Sequence, residues 1–180
     1  MFISKVIVVF VALLVSSAVT APVFKEPPPN DLELSVRSTK HMAEAVHVAR
    51  QIKNNLRPKA GEAVFWSGYK TDQNGKRVSV KEDAQKFAQD KGKLVLNHGL
   101  ARDGINIPPP EQNPHTPRLW KFSSKVWAQR AHGDTHAVVG DWRNPHSDYD
   151  TIEKPILRTS PKVSKLTEHN VQTGVSTVVK

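Results

Sequence analysis

The chain of 180 residues contains no cysteine, so no disulfide can hold it together. Small extracellular domains commonly lean on such cross-links. Here the hydrophobic core must suffice, which a domain of roughly 120 residues can supply. A cysteine-free chain is also suited to work in a reducing compartment, for example inside another cell. After the first apolar stretch there is no second long hydrophobic run and no stop-transfer charge cluster, which argues against a stable membrane anchor. Charge of one sign is never concentrated. The 26 Lys and Arg against 17 Asp and Glu leave a net charge of +9, yet no block of five or six basic residues occurs. A basic surplus attracts nucleic acid, anionic membranes or phosphorylated small ligands, and the scattered pattern gives no nucleic-acid tail. No internal repeat is present.

What is present begins with Lys5, followed by the unbroken apolar run Val6 to Val15 and the small residues Ser16, Ser17 and Ala18. That layout is a secretory signal, assigned to residues 1–21 with cleavage between Ala18 and Ala21, and it predicts a secreted protein. Residues 22–34 carry Pro22, Pro27, Pro28 and Pro29 and read as an extended linker. Residues 35–60 form a helical extension. Met42, Ala45, Val46, Ala49, Ile52 and Leu56 recur at helical spacing until Pro58 ends the pattern.

Residues 61–180 form the main domain. Ala63 to Trp66 suits a buried strand, and Asn74-Gly75 marks a turn in the polar loop that follows. Ser79 with Glu82 predicts a capping box before a helix that buries Ala84, Phe87 and Ala88 and closes at Gly92. Leu94 to Leu96 is a second short strand, Pro108 to Pro117 a loop, and Arg118 to Ala131 a helix with Trp120, Ser123, Ser124 and Trp127 along one side. His136–Val139, Val163–Leu166 and Val175–Val179 read as strands, with Thr173-Gly174 as a turn, and Thr151–Glu153 as a further one. Strands alternating with helices predict a single α/β domain with a largely parallel central sheet flanked by helices.

Four segments in order carry the chemistry: Ala63-Val64-Phe65-Trp66-Ser67-Gly68, Leu96-Asn97-His98-Gly99-Leu100, Leu119 to Ala128, and Thr151-Ile152-Glu153-Lys154-Pro155-Ile156-Leu157. They supply two tryptophans, a serine four residues after the second, and a late glutamate. Such a set can stack a flat cationic ring and steady a ribosyl cation. The segments resemble the ADP-ribosyl cyclase / NAD glycohydrolase family, and within it the cysteine-free domains of bacterial toxins. The likeness covers residues 62–180.

The resemblance implies an NAD(P)+ glycohydrolase in which Trp66 and Trp120 grip nicotinamide, Glu153 stabilises the ribosyl cation, and Ser124 assists at the ribose. Ser67 and Asn97 fall among the substrate-binding positions. No metal and no separate cofactor are implied, because NAD is the substrate, and a toxin or effector role depleting another cell's NAD follows from the relatives. Two positions depart from the family. Asn97 stands where a glutamate is common, which bears on the balance of hydrolysis and cyclisation. Gly68, Tyr69 and Lys70 follow where an arginine is common, which leaves Lys70 as the candidate phosphate contact.

Plainer roles stand beside these. Trp66 and Trp120 can be core residues and Trp127 reads as one, while Glu153 can be a solvated carboxylate at a strand end. His132 and His136 lack a third ligand for zinc, and no strand–turn–helix elbow serves a nucleophilic serine. The rivals to a glycohydrolase are a secreted nucleotide-binding pseudoenzyme, motivated by Asn97, and a basic nuclease or nucleic-acid binder, motivated by charge and histidines.

Overall fold

Along the strand Ala63–Ser67 (β1), Ala63 and Phe65 enter one core cluster while Val64 and Trp66 pack with another. A strand buried on both faces requires helices on both, as parallel sheets do. The computed structural model describes the backbone of residues 29–180 and side chains from Ser38 onward. The expected signal peptide and residues 22–28 of the expected linker lie outside that range. A compact unit, Ser38–Lys180, contains every side chain described below.

The central sheet runs β4 (Leu94–Val95), β1, β5 (Gly133–Val139), β6 (Val163–Asn170), β7 (Ser176–Val178). The pairings β4–β1, β1–β5 and β5–β6 are parallel, and β6–β7 is antiparallel. The α/β domain with a mostly parallel sheet is therefore as the alternation of elements predicts. A separate hairpin joins β2 (Tyr69–Thr71) to β3 (Arg77–Ser79). Its turn is tied by Asp72, whose Oδ1 accepts from the backbone N–H of Asn74 and Lys76.

One face of the sheet is covered by α2 (Lys81–Asp90) through Ala84 and Ala88, with Phe87 alongside. The opposite face carries α1 (Pro29–Asn55), α3 (Leu96–Arg102), α4 (Thr116–Arg130) and α5 (Lys154–Thr159) around Leu100, Leu119, Trp127 and Leu157. On α1 the inward residues are Ala45, Val48 and Ile52, and Leu56 just beyond it is buried with them. Met42 and Val46, expected on that stripe, are exposed instead.

Four local expectations change. The helix α1 starts at Pro29, inside the stretch expected to be extended. Proline is tolerated there because a first-turn N–H has no helical partner to lose. The capping box before α2 does not form. Val80 occupies the N-cap, and Ser79, committed to pairing with Tyr69, turns its Oγ to the N–H of Lys81 at 3.2 Å. The expected strand at Thr151–Glu153 is instead part of a π-helical segment, Tyr149–Glu153, that continues into α5. The buried residues Tyr149, Glu153 and Leu157 recur every four positions, which is helical spacing, and Pro155 fits the first turn of α5. Finally, β5 and β6 extend beyond their apolar cores, because backbone pairing continues through polar positions such as Glu168 and His169.

Candidate functional site

In an open sheet, ligands bind beyond the carboxyl ends of strands where successive connections leave to opposite faces. That place here lies between β1 and β4. The chain leaving β1 leads to α2 on one face, and the chain leaving β4 enters α3 on the other. A cavity of about 380 Å³ occupies this crevice.

Each wall comes from a different element. Strand β1 supplies Trp66 and Ser67, with Gly68 directly after it, and the first turn of α3 supplies Leu96 and Asn97. Helix α4 turns Trp120, Ser124 and Trp127 inward, residues four and three apart along one face. The segment after β5 closes the cavity with Asn144, Ser147, Asp148, Tyr149 and Glu153. Thus Trp66, Ser67, Asn97, Trp120, Ser124 and Glu153 meet around one space, although 87 residues separate the first from the last. Trp66 is partly buried and Trp120 is 36% exposed, so both rings border the cavity. Trp127 is fully buried, as expected for a core residue, yet it also contributes to the wall.

Glu153 is buried and receives a hydrogen bond from the Ser124 hydroxyl. Burial pushes its carboxyl up to about 8, with Ser124 opposing and the nearby Asp148 charge reinforcing the rise. A buried carboxyl held by one hydroxyl is poised to ionise when a cation enters beside it. It is not the solvated strand-end carboxylate that the simpler reading allowed. A second buried carboxylate differs sharply. Burial raises Glu168 too, but the Lys154 ammonium at 2.7 Å, the Tyr149 hydroxyl at 2.9 Å and Arg143 at 3.3 Å outweigh it and hold it below the usual range. One glutamate is a structural anchor; the other faces the cavity.

Ser67 is less free than its position suggests. Its hydroxyl donates to Ser147 Oγ at 3.0 Å, and Ser147 donates to Asp150 at 2.8 Å, which fastens the 147–150 segment to the end of β1. Lys70 is not brought to the cavity. On β2 its ammonium lies 2.6 Å from Asp83 of α2 and is spent on that ion pair. The reason no side chain follows Ser67 is steric. A Cβ at position 68 would stand 2.6 Å from the carbonyl oxygen of Trp142, and Gly68 has φ +94°, a conformation reserved for glycine. The cation beside Gly68 is Arg143, whose side chain would lie 3.1 Å from that same Cβ.

Tyr149, Ser147, Asp148 and Asn144 escaped sequence reasoning. The polar, turn-rich stretch Asn144-Pro145-His146-Ser147-Asp148 was a legible loop signal, but which cavity it faces depends on the fold. Among the described residues no group of three His, Cys, Asp or Glu side chains is placed to hold a metal ion. His136 is half-buried, 2.9 Å from His169 and against Phe87. Burial, then Lys93 and His169, lowers it to about 4, so it stays neutral.

No protein-family model matches this chain, and no curated protein matches it. Solved structures that it resembles include Aplysia cyclase complexed with substrate NGD and product cGDPR (TM-score 0.42, 20% identity, covering 62% of this chain and 49% of that one). Another is ADP ribosyl cyclase complexed with N1-cIDPR (TM-score 0.44, 17% identity, 68% and 54%). A third is a glutamate-to-alanine mutant of ADP-ribosyl cyclase (TM-score 0.41, 17% identity, 62% and 50%). The chain spans about half the length of these structures.

Proposed function

We propose that this protein is a secreted NAD(P)+ glycohydrolase whose reaction takes place in the cavity between β1 and β4. The observation that carries the reading is the meeting of Trp66, Trp120 and the buried Glu153–Ser124 pair around one cavity at the sheet's switch point. Two indoles at the border can hold a flat cationic ring by stacking and by cation–π attraction, worth about 1–3 kcal/mol per stacked base. The bond that breaks joins ribose C1 to the ring nitrogen. Its electron pair goes to that nitrogen, which turns the pyridinium into neutral nicotinamide, so no general acid is needed. The positive charge passes to the ribose as an oxocarbenium-like ion. Glu153, ionised by the arriving cation, faces that charge, and Ser124 holds the carboxylate in place. Water then adds to C1 and releases a proton, giving ADP-ribose.

Binding uses the surrounding groups. Asn97 offers an amide to hydrogen-bond the substrate without a charge, and Ser67 stiffens the wall beside Trp66. Secretion, and a toxin or effector role against another cell's NAD, rest on the N-terminal apolar run and the family resemblance. The test is direct. Purified protein incubated with NAD should release free nicotinamide, and Glu153→Gln should lower the rate by roughly a hundredfold or more, the scale of losing one preorganised electrostatic group. No release above that variant, with NAD still bound, would leave the second reading, a nucleotide-binding pseudoenzyme, which Asn97 in the cavity wall favours.

A further inference from the structure

Two large aromatic side chains stand half in solvent beside the cavity. Tyr69 is 49% exposed and Trp142 is 50% exposed. Single exposed aromatics are ordinary, but these two are clamped together. The Tyr69 N–H donates to the Trp142 carbonyl at 2.9 Å, and the Trp142 N–H donates to the Tyr69 carbonyl at 3.2 Å. Glycines make the clamp possible. A Cβ on Gly68 would strike the Trp142 carbonyl at 2.6 Å, and one on Gly140 would strike the Tyr69 carbonyl at 2.2 Å. The backbone is thus built so that β2 and the segment after β5 touch, which fixes both aromatic residues at the rim. Tyr69 and its cross-strand neighbour Ser79 line the cavity, and Trp142 stands one bridge further out. The Arg77 guanidinium lies 3.9 Å from the centre of the Trp142 ring. No carboxylate among the described residues forms an ion pair with Arg77.

The geometry points to a second base-binding subsite on this rim, in which Trp142, with Tyr69 and Arg77 beside it, stacks the purine at the far end of the dinucleotide. This rests on the NAD(P)+ reading above and deepens it. A cavity of about 380 Å³ is near the lower bound for small-molecule sites, which leaves the far nucleotide to be held at its rim. Outside the mouth, the rim offers a half-exposed indole for stacking and, over that ring, a guanidinium that has no carboxylate partner among the described residues and can meet a phosphate. Because the clamp uses only backbone atoms, changing the Trp142 side chain leaves it intact.

Three probes separate the possibilities: AMP, which carries only the far base; nicotinamide mononucleotide, which lacks it; and NAD itself. Trp142→Ala should weaken AMP binding, followed by tryptophan fluorescence or calorimetry, and raise KM for NAD roughly five- to hundredfold with kcat retained. Cleavage of nicotinamide mononucleotide should be unchanged, and Trp142→Phe should keep most of the affinity. Unaltered NAD kinetics in Trp142→Ala, or no saturable AMP binding by the wild type, would overturn the subsite. Failure of the reaction looks different. AMP binding that depends on Trp142 without any nicotinamide release would retire the glycohydrolase and keep the subsite.

Discussion

Glu153 illustrates how a single buried residue can oppose stability. Its carboxyl is held near 8, chiefly by burial. Below about 4.5, the ordinary value, it is neutral in both folded and unfolded chains. Between about 4.5 and about 8 the unfolded chain ionises first and the folded chain keeps its proton, so stability falls as pH rises across that window. At roughly 1.4 kcal/mol per pKa unit the effect is a few kcal/mol. Glu153→Gln, which cannot ionise, should match the wild type in melting temperature near pH 4 and exceed it near pH 8. Equal melting temperatures at both would contradict a buried, protonated carboxyl. Catalysis should run the other way. The ionised form is the one that steadies a cation, so kcat/KM for NAD should climb with pH toward about 8, with the kcat profile shifted to lower pH because bound cationic substrate favours the carboxylate. The residue types Trp66, Trp120, Ser124 and Glu153 were legible in the sequence through their order and resemblance. That Lys70 is spent on Asp83 was not, because the partner sits on another element 13 positions away.

At the scale of elements, the segment from Ser147 to Thr159 does most to shape the site. Its π-helical start brings Tyr149 and Glu153 inward, and α5 carries Leu157 into the core. Glu168 of β6 pins it, taking Lys154, Tyr149 and Arg143 together. Glu168→Gln keeps the shape but leaves two cations facing an amide, and should cost about 1–3 kcal/mol in urea unfolding. Because Lys154 adjoins Glu153, nicotinamide release should fall as well, without loss of secondary structure in circular dichroism. A strand over Thr151–Glu153 was the natural reading of a short β-branched run before proline. The long-range anchor to Glu168 and the helical recurrence of Tyr149, Glu153 and Leu157 override that local preference. By contrast, Gly92 ends α2 as its position suggested. With φ +62°, it and Lys93 return N–H bonds to Gln89 and Ala88, a closed helix end readable from sequence.

Across the whole molecule, α1 is part of the core. Ala45, Val48, Ile52 and Leu56 are buried in the larger cluster. The fully buried Asn113 donates to the His41 carbonyl and to Glu44, both at 2.9 Å, and Arg130 donates to the Leu56 carbonyl at 2.9 Å. A chain beginning at Ser38 should therefore unfold cooperatively like the full protein. One beginning at Pro58 loses four buried apolar side chains, three of them large enough to contribute about 1.5–3 kcal/mol each, and should show no cooperative melting transition. Cooperative melting of that shorter chain would assign α1 a peripheral role.

What the amino-acid order determined alone was the kind of molecule: strands and helices in alternation, a cysteine-free core, and two indoles and a carboxylate of the types a cationic ring and a ribosyl cation demand. Periodicity and residue chemistry are local, so they can be read one segment at a time. The tertiary structure decided which groups share a wall, that burial pushes the Glu153 carboxyl up to about 8, that Gly68 and Gly140 let Tyr69 and Trp142 meet, and that Glu168 is pinned by cations while Glu153 is not. Those outcomes depend on distances between residues remote in the chain and on the exclusion of water, which no single segment encodes.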